Sequence, residues 1–89
     1  MKTPALPRVE DPDAWIVAQL LRGERVVLRV MSCPPTKDWR VEMAVLRVIQ
    51  LYDLHVTEDA EGVLLDPKEF QRLGTYRARW LADYERYQA

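Results

Sequence analysis

The segment that most constrains the fold of this chain is its last one, residues 65–87, because it carries both the start signal and the buried face of a helix. Asp66 stands before Pro67 and Glu69. This order supplies a side-chain oxygen to cap the helix and a proline at a position where its missing N–H does no harm. It also supplies an acid that can reach back to the N–H of the cap. We therefore predict that a helix begins at Asp66.

The last helix is predicted to be amphipathic. On a helical wheel, one broad face holds Phe70, Leu73, Tyr76, Trp80, Leu81, Tyr84 and Tyr87. Arg77 falls inside this apolar sector, so its guanidinium needs an acidic partner or a path along the aromatic rings to water. Gly74 costs about 1 kcal/mol relative to alanine within a helix. Two alternatives are open: one continuous helix, or a short helix that ends at Gly74 and a second that begins at Thr75.

The size and composition of the chain limit its class. Eighty-nine residues are enough for one small domain. The net charge of −1 argues against a protein whose whole surface meets phosphate. A single cysteine excludes an internal disulfide. The sequence contains neither a signal-peptide pattern nor an apolar run of about 20 residues that could span a membrane, so we expect a cytoplasmic protein without membrane contacts.

The chain is predicted to contain an extended N-terminal arm over residues 1–11 and one domain over residues 12–89. Asp11-Pro12 repeats the pairing of a cap residue with a proline that is found at the last helix. A first helix is therefore predicted over residues 12–22. Gly23 is placed to end it in a left-handed conformation.

A strand and a second helix are predicted next. The valine-rich residues 25–31 form the predicted strand, which Pro34 and Pro35 end. Thr36 is the predicted cap of a helix over residues 39–54. A strand remains the alternative there, because apolar and polar residues alternate in its first half. The helical wheel favours the helix, with its core side at Val41, Ala44, Val45, Val48, Leu51 and Tyr52.

Two short strands, residues 54–57 and 63–65, are predicted to form a hairpin around the acidic loop 58–62. The element order is then α-β-α-β-β-α. This order predicts an α+β domain with a small antiparallel sheet and helices packed on it.

No residue pattern rises to a catalytic or metal signature. Cys33 has only His55 as a candidate histidine partner, and nothing in the sequence brings the two together. The acidic residues around His55 match neither the calcium-loop nor the zinc spacing. We therefore predict a protein that is not an enzyme and that uses no cofactor and no metal.

The last helix carries the first functional hypothesis. Tyrosine, tryptophan and arginine anchor many interfaces, since each joins a large contact area to a hydrogen-bonding group. The predicted partner-binding residues are Tyr76, Arg77, Trp80, Tyr84 and Tyr87. The sequence thus predicts a regulatory protein of inhibitor or adaptor type that binds another protein, itself, or both, with a homodimer expected.

The alternative hypothesis depends on a turn at Gly74. Phe70 to Leu73, Gly74 and the residues from Tyr76 onward resemble a helix-turn-helix, although Phe70 and Asp83 depart from that motif. The resemblance implies a nucleic-acid-binding regulator. Its phosphate or base contacts would come from Arg77, Arg79 and Arg86.

Overall fold

The computed structural model describes residues 5–30 and 36–89. Its elements are α1 (Ala14–Leu21), β1 (Val26–Val27), β2 (Arg29–Val30), β3 (Thr36–Lys37), α2 (Trp39–Tyr52), β4 (Val56–Glu58), β5 (Gly62–Leu65) and α3 (Pro67–Gln88). The predicted α+β class with a small antiparallel sheet is confirmed. The interpretations of Cys33, Pro34 and Pro35 concern positions outside the described residues.

Helix α1 lies at the centre of the fold. It packs against α2, α3, β1 and β5. Six of its eight residues are buried: Ala14, Ile16, Val17, Ala18, Leu20 and Leu21. A helix that is apolar on nearly every side has to be covered on nearly every side. The core is therefore assembled around α1, and α3 is one of the elements that pack against it.

The C-terminal end of α1 is as the sequence predicts, whereas its N-terminal cap is not. Gly23 has a φ of 80°, and its N–H and that of Glu24 donate to carbonyl groups of the last turn, as the sequence predicted. The predicted cap residue, Asp11, is wrong by two residues. Asp13 is the N-cap residue, and Asp11 instead accepts the N–H of Asp13 through Oδ1 at 2.7 Å.

The main sheet has the strand order β1-β5-β4, and both pairings are antiparallel. A second pair, β2 with β3, stands apart from it. In β1–β5, Val27 lies opposite Gly62, and a Cβ at Gly62 would come within 2.0 Å of the Val26 carbonyl oxygen. The sequence assigned Gly62 to the loop, whereas the close approach of β1 is what excludes a side chain there.

The acidic hairpin loop is held by a basic residue of the neighbouring segment. Arg25 Nη2 lies 2.6 Å from Asp59 Oδ2, and Arg25 Nη1 lies 3.4 Å from Glu61. Asp59 Oδ1 also accepts the N–H groups of Glu61 and Gly62, both at 2.9 Å. The Arg25 hydrogen bond is the main reason why the pKa of Asp59 is lowered. The loop is thus fixed by contacts within the chain.

Helix α2 confirms the helical interpretation of residues 39–54 and excludes the strand. Its cap is Asp38 and not Thr36, which lies in β3. The Asp38 carboxylate accepts the N–H groups of Arg40 at 3.1 Å and Val41 at 3.4 Å. An acid can cap more strongly than a threonine because its charge also interacts with the helix dipole.

Helix α3 starts as predicted and bends where the sequence left two alternatives. Asp66 accepts the N–H of Lys68 at 3.0 Å, and Pro67 is the first helical residue. Gly74 has φ 50° and ψ −132°, which divides α3 into two helical segments. The alternative of a break at Gly74 is therefore correct.

The N-terminal arm packs against the domain. The Trp80 Nε1–H donates to the Pro7 carbonyl oxygen at 2.6 Å. Leu6 and Val9 are half-buried against the core. The described part of the arm is thus attached to α3 by a hydrogen bond and packs against the core through apolar side chains.

Candidate protein-binding surface

The aromatic residues predicted for partner binding on α3 divide into a buried and an exposed pair. Trp80 and Tyr84 are each only 9% exposed, and their rings stack with centroids 5.4 Å apart. Tyr76 and Tyr87 are 41% and 56% exposed. Positions 76 and 87 are separated by three turns, which is about 16 Å along a helix. The four rings therefore do not form one continuous exposed surface.

Arg77 is used inside the fold, where it joins α3 to α1. Its Nη1 donates to the Leu21 carbonyl oxygen at 2.7 Å. Its guanidinium carbon lies 4.9 Å from the centroid of the Phe70 ring. Leu21 is the last residue of α1, so the positive charge sits at the negative end of that helix dipole. The Arg77 charge in the apolar sector is thus accommodated by a carbonyl acceptor and an aromatic ring.

The arginines of the nucleic-acid alternative are also mostly engaged within the chain. Arg86 pairs with Asp83, and Arg77 makes the contacts just described. Arg79 is exposed and, among the described residues, has no ion pair. The break at Gly74 provides the turn that this alternative requires. Of the three arginines predicted to contact a nucleic acid, Arg77 and Arg86 are nevertheless engaged within the chain.

Helix α2 carries four of the eight large apolar side chains that are exposed among the described residues. Trp39 is 68% exposed, Met43 54%, Leu46 45% and Leu51 63%. We call these four residues the α2 outer face. The opposite side of the same helix is buried through Ala44, Val45 and Val48. Helix α2 thus has apolar residues on two sides, and only one of them packs on the domain.

The α2 outer face has a concave part and charged edges. A depression of about 400 Å³ is lined by Met43, Leu46, Arg47, Gln50 and Leu51. Arg47 Nε lies 2.8 Å from Asp13 Oδ2, and this hydrogen bond is the main cause of the raised pKa of Arg47. The Arg40 guanidinium carbon is 5.6 Å from the centroid of the Trp39 ring. The apolar surface is therefore bordered by two arginines.

Sequence reasoning missed this surface. It placed Leu51 on the core side of α2, which is wrong, since the side chain is among the most exposed of the described chain. It assigned Trp39 to a core shared by the three tryptophans, which is wrong because this ring is 68% exposed, and it assigned no role to Met43 and Leu46. The available signal was that these three residues follow three-four spacing within the otherwise polar half of the helical wheel.

The remaining candidate groups do not form a reactive site in the described residues. His55 is exposed, and Cys33 lies outside the residues described. Within residues 5–30 and 36–89, no three His, Cys, Asp or Glu side chains are close enough to hold a metal ion. Among residues 5–28 and 38–89, whose side chains the structure describes, Glu69 is the one charged residue that is buried. It binds Arg72 and the N–H of His55, so it is occupied by partners within the fold.

Comparison of the chain with protein-family models, with curated proteins and with solved structures finds no match. Among the helices that the structure describes, none has both the length and the apolar character needed to cross a bilayer.

Proposed function

We propose that this chain is a small non-enzymatic binding protein of inhibitor or adaptor type that acts through protein–protein contacts of the α2 outer face. One observation carries the proposal: four large apolar side chains are 45% to 68% exposed on a single helix. Fully burying a large apolar side chain gains about 1.5–3 kcal/mol, and a side chain that is about half exposed can still gain roughly half of that from a partner. Exposed apolar side chains gathered in one patch are typical of binding surfaces.

The composition of the α2 outer face supports a protein partner. Tryptophan, methionine and arginine are enriched at interfaces. Here Trp39 and Met43 supply apolar area, while Arg40 and Arg47 stand at the edge. An apolar centre with a charged border is the usual arrangement of an interface core and rim.

We propose α2, and not α3, as the main binding surface. Of the residues first proposed on α3, Trp80 and Tyr84 stabilise the core and Arg77 joins α3 to α1. Tyr76 and Tyr87 keep exposed rings and are proposed as secondary contacts only. The partner is another protein, a second copy of this chain, or both.

The proposal is tested by capture from native cytosol with tagged wild-type protein and two matched variants. Leu46→Ser changes the centre of the α2 outer face, and Arg79→Ala changes an exposed residue of α3. We expect proteins that co-purify with the wild type and with Arg79→Ala to be lost with Leu46→Ser. Identical proteins bound to all three, with an unchanged melting temperature of Leu46→Ser, would overturn the proposal.

A further inference from the structure

The exposed side of α2 contains a row of residues with the spacing of a helix-pair seam. Trp39, Met43, Leu46 and Gln50 follow steps of four, three and four residues, which correspond to the d and a positions of a heptad repeat. The first three are about half exposed or more. A helix with this seam can pack lengthwise against another helix that presents the same pattern.

The two edges of this seam carry opposite charges. Arg40 and Arg47 follow the seam residues on one edge, at e positions of the heptad. Glu42 occupies a g position on the other edge, whereas Asp53, the C-cap residue of α2, continues the seam at a d position. The helix therefore has one basic edge and one acidic edge.

This charge distribution distinguishes the two ways in which a pair of identical helices can meet. A two-fold axis parallel to the helices brings the basic edge of one copy to the acidic edge of the other. An antiparallel pair brings basic to basic and acidic to acidic. In the parallel arrangement, Glu42 of each copy faces Arg47 of the other, which is the g-to-e contact that sets orientation in paired helices.

We propose, on the basis of the proposed function above, that the α2 outer face binds a second copy of this chain and that the two α2 helices lie parallel. Trp39, Met43 and Leu46 pack against their counterparts. Gln50 meets its counterpart and fixes the register, as a polar residue in a seam does. The opposite edge charges select the parallel orientation.

The charges select orientation and add little affinity. Arg47 already contacts Asp13 within its own copy, and Glu42 also has interactions there. Exposed ion pairs contribute at most about 1 kcal/mol each. The stability of the pair therefore comes from the apolar seam, and the edges act by making the antiparallel arrangement unfavourable.

The length of α2 limits the strength of the association. Fourteen residues make a helix of about 21 Å at about 1.5 Å per residue. Such a helix pair buries less than the roughly 1,600 Å² of a standard stable interface. We therefore expect a dissociation constant on the order of 10–100 µM, which corresponds to about −5.5 to −7 kcal/mol.

Sedimentation equilibrium of the full chain tests the second copy as the partner. From about 5 to 500 µM, which spans the expected dissociation constant, the wild type should pass from monomer to dimer. Leu46→Ser should remain monomeric, and Tyr76→Ser, which changes an exposed ring of α3, should behave as the wild type. A wild type that is monomeric throughout would overturn this inference. If Leu46→Ser still loses a captured protein in that case, the proposed function stands with a different partner.

Disulfide cross-linking tests the orientation. With Cys33→Ser as background, Gln50→Cys places one thiol near the end of each seam. A parallel pair brings the two thiols together, so mild oxidation should cross-link most of the dimer, whereas Arg79→Cys should not cross-link. In an antiparallel pair, Gln50 would face the region of Trp39. A dimer that fails to cross-link through Gln50→Cys would overturn the parallel arrangement.

Discussion

Glu69 joins the start of α3 to the segments before it. Its carboxylate accepts from Arg72 Nε at 2.6 Å and from the His55 N–H at 3.2 Å. Arg72 continues the connection by donating to the Asp53 carbonyl oxygen at 3.0 Å. The hydrogen bond from Arg72 is the largest cause of the lowered pKa of Glu69, and the His55 N–H acts in the same direction against the effect of burial.

We expect Glu69→Gln to lower the free energy of unfolding at neutral pH by about 2 kcal/mol, because hydrogen bonds to a charged group are lost. The folded pKa of Glu69 lies below its ordinary value of 4.5. Its stabilising contribution is therefore complete above that ordinary value and is lost as pH falls through the folded pKa. Urea unfolding from pH 7 into the acid range should show the difference between wild type and variant becoming smaller.

Glu85→Gln is the control for this experiment. Glu85 is exposed and lies 3.4 Å from Arg22, so we expect its substitution to change stability by less than about 0.5 kcal/mol. A Glu69→Gln effect no larger than that of Glu85→Gln, or one that does not depend on pH, would contradict the assignment of Glu69 as a stabilising buried charge.

The start of α3 shows which contacts of a single residue the sequence could predict. The order Asp66, Pro67, Glu69 correctly predicted where the helix begins, because capping depends on neighbouring residues alone. The role given to Glu69 was wrong. The Asp66 N–H donates to the His55 carbonyl oxygen, and the Glu69 carboxylate turns toward Arg72 and the His55 N–H. His55 is distant in sequence, so local spacing could not reveal it.

Among the elements, α3 depends on a backbone conformation that only glycine adopts easily. Gly74 combines φ 50° with ψ −132°. A Cβ there would meet nothing within 4 Å, so the cost of a side chain is conformational and not steric with neighbours. We expect Gly74→Ala to destabilise the protein by about 1–2 kcal/mol.

Whether Gly74→Ala lowers or raises the stability of the protein distinguishes a bent helix from a continuous one. In a continuous helix the same substitution would stabilise by about 1 kcal/mol. Ala82→Gly, at an exposed position of the second segment of α3, is a suitable comparison and should destabilise by about 1 kcal/mol. Chemical denaturation of the two variants measures both effects. A more stable Gly74→Ala would show that the bend is not part of the native state.

Helix α2 also shows which structural features the hydrophobic periodicity can predict. The wheel correctly identified α2 as a helix and placed Ala44, Val45 and Val48 on its core side. It did not indicate how wide that side is. Helix α1 and its neighbours cover those three positions and leave Leu51 exposed. The width of a buried face depends on the shape of the opposing element, which a single helix sequence does not contain.

At the scale of the whole molecule, the location of the binding surface depends on which apolar faces the fold covers. The arm and α1 cover the part of the aromatic face of α3 that holds Trp80 and Tyr84. Among the described elements, the outer side of α2 keeps the larger exposed apolar area. Sequence identified the aromatic face of α3 but not the outer side of α2, because coverage is a property of the assembled fold.

The most direct test of the α2 outer face is an NMR dilution series of the isotope-labelled full chain. On concentration from about 10 to 500 µM, a range set by the expected affinity, the account predicts shifts at the Trp39 indole N–H and at the amides of Met43 and Leu46. The amides of Tyr76 and Arg79 should stay unchanged. Shifts confined to Tyr76, Arg79 and Tyr87, with α2 unaffected, would show that the α2 outer face does not bind a second copy.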